Sequence, residues 1–313
     1  MDTATSIESI ESMDTSMDDT ENSTENEATE KEKEWWLPLI LARHVTLKQF
    51  EKRVGKIKVR RFFSFRNGTV VLIKLPSGRH EAANNFFAEK FMTAVNSTQQ
   101  YIYNWGAKSL HSQGGQGPYE EPDSCYVPKS LVPTPNNGIV VANPCDREGK
   151  PWPTIIVEVA SSESLIHAID KVNNHWFLPN CAEDVIIIKI GDWRNRRCNN
   201  QTQRPLRRLR CLKFCRTASL QQNPNTTRFD PIEEIEFGSV HENGREDYFC
   251  SGPHMRWVTV DCSCIFSGCQ PPIPSFNFVM SSAPLPRQSP SPLQRPGVAI
   301  DLYDVQQAIF LAM

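Results

Sequence analysis

No stretch of this 313-residue chain reaches 18 consecutive apolar residues, the length at which a membrane-spanning helix becomes a candidate. A basic leader running into an apolar core is missing too: residues 1–34 carry twelve Asp and Glu against two Lys, the reverse of a secretory signal. Membrane spanning and classical secretion are disfavoured, and an intracellular location, cytoplasm or nucleus, is expected. The ten cysteines show no framework spacing, which fits reduced thiols rather than a disulfide scaffold. The glycine cluster Gly114-Gly115-Gln116-Gly117 lacks a following Gly-Lys-Ser/Thr, so it is not a phosphate-cradling P-loop.

The formal net charge of -2 hides two opposed blocks. Residues 1–34 sum to -10, and the segment Arg194 to Arg216 holds nine Arg and Lys with no acid. The first block has almost no aliphatic or aromatic anchor and cannot offset the entropy of ordering, so 1–34 is expected as a disordered acidic tail. The second could neutralise phosphates, serve in nuclear import, or be a solvated insertion.

Between the blocks, apolar periodicity resolves into elements. Thr46 can cap a helix over Leu47–Val54. Thr69–Leu75 reads as a strand, and Ala83, Phe87, Phe91 and Ala94 mark an amphipathic helix over 79–96. Short strands follow at Tyr101–Trp105 and Ser124–Val127. Thr154–Ala160 and Val185–Ile190 are apolar enough for burial on both faces. A helix over Glu163–Trp176, with Leu165, Ile169, Val172 and Trp176 aligned, joins the last two strands. The order αβββαβ specifies an α/β fold: a mixed central sheet flanked by helices. The expected organisation is a domain over 35–193, a basic insertion or linker over 194–230, a Cys- and Pro-rich extension over 231–297, and a C-terminal amphipathic helix over 298–313. Further strands are expected at Ile232–Phe237, Tyr248–Ser251 and Val258–Asp261.

One charge, Glu158, interrupts Thr-Ile-Ile-Val-Glu-Val-Ala, and a charge in a doubly buried strand costs several kcal/mol unless paired or metal-bound. Asp123 lies upstream in Pro122-Asp123 and Lys171 downstream in Asp170-Lys171. A strand advancing roughly 13 Å from Glu158 to Ser162 and a helix returning about 12 Å from Glu163 put Lys171 level with Glu158. Two carboxylates and an ammonium together suit Mg²⁺, or Mn²⁺, and an anionic transition state. Pro122-Asp123 and the glutamate of Ile-Val-Glu-Val resemble the PD-(D/E)XK nuclease superfamily. The Asp170-Lys171 helix, the Val185–Ile188 strand and the opening Val45–Glu51 resemble its putative restriction endonuclease branch. The resemblance covers about 44–193.

That resemblance implies a restriction-endonuclease-like fold and a metal-dependent endonuclease. Asp123 and Glu158, with the Val159 carbonyl, would hold the metal. Lys171 would replace the superfamily's usual lysine, absent at Ala160. Glu81, near the start of the first core helix, would be a further catalytic acid, although an acid there also simply complements the helix dipole. The implied partner is nucleic acid, DNA ahead of RNA, with no membrane and a homodimer left open. The alternative is a catalytically inactive nuclease-fold module that binds nucleic acid or protein. Cys262, Cys264 and Cys269, with Cys250 and His254 nearby, offer zinc ligands without paired knuckles, so ordinary buried thiols are expected there.

Overall fold

The computed structural model describes residues 37–57, 62–75, 77–97, 100–115, 119–134, 137–178, 181–191, 197–246, 255–285 and 291–313. The acidic segment 1–34, the Tyr248–Ser251 strand, Cys250 and His254 lie outside the described residues. Glu34–Met313 forms one compact unit.

The chain opens with β1 (Leu39–Ala42), α1 (Leu47–Ile57), β2 (Phe63–Arg66) and β3 (Thr69–Leu72), and the strands form an antiparallel sheet in the order β1-β3-β2. Thr46 accepts the Gln49 N–H through its hydroxyl and starts α1, whose Phe50 stacks on Phe65 with ring centroids 5.0 Å apart. Next comes α2 (Gly78–Val95), capped by Ser77, which accepts from His80 N. The stripe Ala83, Phe87, Phe91 and Ala94 is buried, as a 3.6-residue period requires of a core-facing helix.

β4 (Ile102–Asn104), a hairpin of β5 (Leu110–His111) and β6 (Tyr119–Glu120) flanking the short α3 (Ser112–Gly115), β7 (Ser124–Pro128) and β8 (Ile155–Ala160) follow. Helix α4 (Leu165–Lys171) starts at Ser164, whose side chain accepts from His167 N, and widens into a π turn over Val172–Trp176. β9 (Asp184–Ile190) completes the expected αβββαβ core. β7 pairs antiparallel with β4 and β8, while β8 and β9 run parallel.

Within residues 194–230, expected as insertion or linker, the described part from 197 on contributes to the fold. β10 (Leu209–Cys215) pairs with β9 along its whole length, α5 (Arg216–Gln222) follows, and β11 (Glu233–Glu236) adds the edge. The central sheet therefore has six strands in the order β11-β10-β9-β8-β7-β4. Periodicity missed β10 because three basic residues, Arg208, Arg210 and Lys213, interrupt its apolar pattern. The strand is held by register with an apolar neighbour, not by its own composition.

The extension is likewise structured. β12 (Trp257–Asp261), α6 (Cys262–Ile265), β13 (Asn277–Met280) and β14 (Gly297–Asp301) build a second sheet in the order β12-β14-β13, and α7 (Leu302–Leu311) closes the chain. The expected C-terminal segment 298–313 is thus strand first and helix second. Gly297 is required there, since a Cβ would meet Val260 O at 2.3 Å.

The central sheet has two unlike faces. Val157, Val159, Ile186 and Ile188 pack with Phe87 and Phe91 of α2 and with Val305 and Ile309 of α7. Ile156, Ala160, Val185 and Ile187 pack with Ala168, Val172 and Trp176. Strand alternation puts Glu158 on the second face, toward α4, and Asp184 on the first.

Candidate active site

Asp123 enters at the start of β7, Glu158 from the middle of β8, Glu163 from the turn after it, and Lys171 from the last residue of α4. Lys171 Nζ lies 2.8 Å from Glu158 Oε2 and 3.4 Å from Glu163 Oε1. A second lysine, Lys74, arrives from the segment after β3. Its Nζ donates to Asp123 Oδ1 at 2.7 Å and to Glu158 Oε2 at 3.4 Å. That segment is pinned by Leu75 N–H donating to Ser162 Oγ and by Arg79 Nε donating to Ser161 Oγ. Asp123 Oδ2 accepts the Val159 N–H at 2.8 Å and lies 3.1 Å from His80 Nε2. Glu163 Oε1 contacts His167 Nδ1, one turn into α4.

The side chains of Lys74, Asp123, Glu158 and Lys171 are all 0% exposed, and Glu163 is buried. Three carboxylates thus face two ammonium groups. Burial alone would raise Asp123, but Lys74 and His80 outweigh it and hold the carboxyl well below the usual range. Glu163 is held at about 2, against burial, by Lys171 and His167. Burial would lower Lys74, yet Asp123 and Glu158 raise it; Lys171 is raised against burial by Glu158 and Glu163. Glu158 alone among the acids is raised: burial dominates, and Lys171 and Lys74 offset only part of it.

Asp123, Glu158 and Lys171 are therefore brought together. Glu81 is not: its side chain is 34% exposed and reaches His80 Nδ1 at 3.3 Å, one residue removed from Asp123. Sequence reasoning missed Lys74, His80 and Glu163. Lys74 carried the signal that exposed Glu158, a charge inside an apolar run (Val70-Val71-Leu72-Ile73-Lys74-Leu75).

Mg²⁺ demands near-octahedral oxygens at about 2.1 Å and retains several waters. As arranged, both oxygens of Asp123 are already engaged, Oδ1 by Lys74 and Oδ2 by the Val159 N–H. The Lys74 ammonium takes the place of a cation bridging Asp123 and Glu158. In this arrangement an ion between Asp123 and Glu158 would have to displace Lys74.

The basic segment is largely spent within the fold. Arg208 pairs with Glu236 and Glu242, Arg210 with Glu234, Lys213 with Asp184 and Arg216 with Glu183. Arg207 is buried and donates to Gly191 O. Arg194 and Arg196 lie outside the described residues.

Fold and site together define a mixed α/β protein with an αβββαβ core and a buried carboxylate–lysine centre. No family model and no curated protein matches the chain. Among solved structures it is similar to the crystal structure of a protein from Anabaena variabilis titled a putative nuclease belonging to DUF820, with 12% identity, 62% of this chain and 84% of that chain covered, and a TM-score of 0.36. Among the described residues no helix is long and apolar enough to cross a membrane.

Proposed function

We propose that this chain is a nuclease-fold module of the PD-(D/E)XK type, in the branch its motifs resemble, that binds its partner without hydrolysing it. The partner that the resemblance implies is nucleic acid, DNA ahead of RNA. The observation that carries the non-catalytic reading is Lys74, which donates to both Asp123 and Glu158 in a centre closed to solvent. A buried pair of this kind is costly to break because separation strands a charge in low dielectric.

A second reading is favoured by one observation. Glu158 Oε1 and Glu163 Oε2 are buried without a hydrogen-bond partner, so the centre has acceptor capacity that its lysines do not use. In that reading the chain is a metal-dependent endonuclease. Asp123 and Glu158 would hold Mg²⁺ or Mn²⁺ once Lys74 has moved, and Lys171 would stay beside Glu158.

The deciding experiment incubates the purified full chain with labelled single- and double-stranded DNA and RNA, with and without Mg²⁺ or Mn²⁺, and follows anisotropy and cleavage in parallel. The expected result is DNA binding without metal-dependent cleavage. Cleavage by the wild type that is lost in Glu158→Gln overturns the non-catalytic reading in favour of the endonuclease. Absence of both binding and cleavage removes nucleic acid as the partner.

A further inference from the structure

On the face of the sheet opposite Glu158, the first residue of β9 is Asp184, and the antiparallel register of β9 with β10 sets Cys215 directly across from it. Residues paired in this way carry their side chains on one face about 5 Å apart. Cys264, from α6, packs onto the same spot with its sulfur 3.9 Å from that of Cys215. Glu183 completes the group. One ligand atom from each of Glu183, Asp184, Cys215 and Cys264 lies within 4.8 Å of all the others.

Asp184 is the residue that a purely structural role leaves unexplained. It is 0% exposed, and no N–H or O–H donates to either carboxylate oxygen; what faces it are the weakly donating thiols of Cys215 and Cys264. The cation paired with it, Lys213, stands 3.8 Å away. An ionised carboxylate buried with only thiols and a loosely placed ammonium to answer it is costly, and a bound cation would remove that cost.

We propose that Asp184, Cys215 and Cys264, with Glu183 as fourth ligand, form a structural site for a thiophilic divalent cation of the zinc class. The sulfur spacing fits. Two Zn–S bonds of about 2.3 Å at a tetrahedral angle place their sulfurs about 3.8 Å apart, against the 3.9 Å observed. A disulfide would need about 2.05 Å. Mixed sulfur and carboxylate donors select zinc over magnesium or calcium.

Charge and accessory contacts agree with this assignment. Two thiolates and two carboxylates exceed a divalent charge by two, and Lys213 and Arg216 flank them. The Ala218 N–H donates to Cys215 Sγ at 3.5 Å and so fixes the direction of the sulfur. Glu183 is oriented by the Thr217 N–H on Oε1 and by Arg216 and Ser267 on Oε2. Such outer contacts are how a ligand carboxylate is aimed. The ion would tie the central sheet to α6 and so to the second sheet. This inference does not depend on what the Asp123–Glu158 centre does.

The test is a Co²⁺ titration of the reduced full chain followed optically, with zinc content measured by mass spectrometry on the protein as purified. The expected result is one equivalent per chain and a thiolate-to-cobalt charge-transfer band with the visible spectrum of a tetrahedral ion. Cys215→Ser and Cys264→Ser should each remove about half of that band, and together all of it. Asp184→Asn should keep the band and weaken affinity at least about tenfold. Cys262→Ser and Cys269→Ser, neighbours in sequence outside the cluster, should leave it intact. No band in the wild type, a band surviving the Cys215→Ser/Cys264→Ser pair, or a band lost in Cys262→Ser or Cys269→Ser would each overturn the assignment. The wild-type titration stands even where a variant fails to fold.

Discussion

Replacing Lys74 by methionine removes one ammonium and keeps most of the stem, so the change isolates charge from packing. In the wild type Lys74 Nζ sits 2.7 Å from Asp123 and 3.4 Å from Glu158. After the change Asp123 Oδ1 loses its hydrogen-bonded cation, and three buried carboxylates keep Lys171 as the one ammonium of the centre, beside His80 and His167. Breaking a fully buried pair by deleting one partner costs about 3–5 kcal/mol, and at this chain size each kcal/mol shifts the midpoint by roughly 2–4 °C. The expected loss is therefore about 10 °C in thermal unfolding of the full chain, with the urea midpoint falling and its slope unchanged. The same variant uncovers the acceptors that Lys74 fills, so Mn²⁺ should restore part of the stability, by about 2.7 kcal/mol at a hundredfold excess over its Kd. Wild type should gain far less from Mn²⁺. A Lys74→Met protein within about 0.5 kcal/mol of wild type would refute the claim that Lys74 neutralises this centre. Equal Mn²⁺ stabilisation of both proteins would refute the claim that it excludes the metal.

Glu163 is lowered to about 2 in the folded chain from 4.5, so its contribution is present above pH 4.5 and is lost as pH falls toward 2. That is about 3 kcal/mol, and urea midpoints against pH should lose this step in Glu163→Gln; parallel wild-type and variant curves between pH 5 and 2 would contradict it. Phe91 is fully buried with its ring centroid 4.7 Å from that of Tyr126, so Phe91→Ala should cost about 3–5 kcal/mol in equilibrium unfolding. Arg208→Gln and Arg210→Gln, whose partners are Glu236 and Glu234, should each change stability by less than about 1 kcal/mol and leave the salt dependence of DNA binding unchanged. A slope reduced by about one unit per arginine would instead make them phosphate contacts.

The core of the fold was legible because its elements announce themselves locally. α2 repeats its buried residues at helical spacing, and β8 and β9 are apolar on both faces, so αβββαβ followed without tertiary knowledge. β10 was hidden because Arg208, Arg210 and Lys213 break its apolar pattern, and the acids that answer them, Glu236, Glu234 and Asp184, come from neighbouring strands. Composition marked a charged stretch as open chain where pairing made it a strand.

The same asymmetry governs the two charged centres. Glu158 stood out as one charge in an apolar strand, and a search along the chain for its partners found Asp123 and Lys171. Lys74 meets the same criterion but was missed, since it lies far from Glu158 in the segment after β3, and only the packing of that segment on the loop after β8 brings it in. That packing changes the chemistry, since it supplies the counter-cation that two carboxylates were expected to draw from solution. At the second centre Asp184 and Cys215 are 31 positions apart and become neighbours through register alone. The sequence contains Cys262, Cys264 and Cys269 within eight residues, and without paired knuckles they read as ordinary buried thiols. Register across β9 and β10 instead selects Cys264 alone from that trio and joins it to residues from the central sheet. Spacing along the chain is informative where all the ligands sit on one short loop, and it misleads where a sheet assembles them.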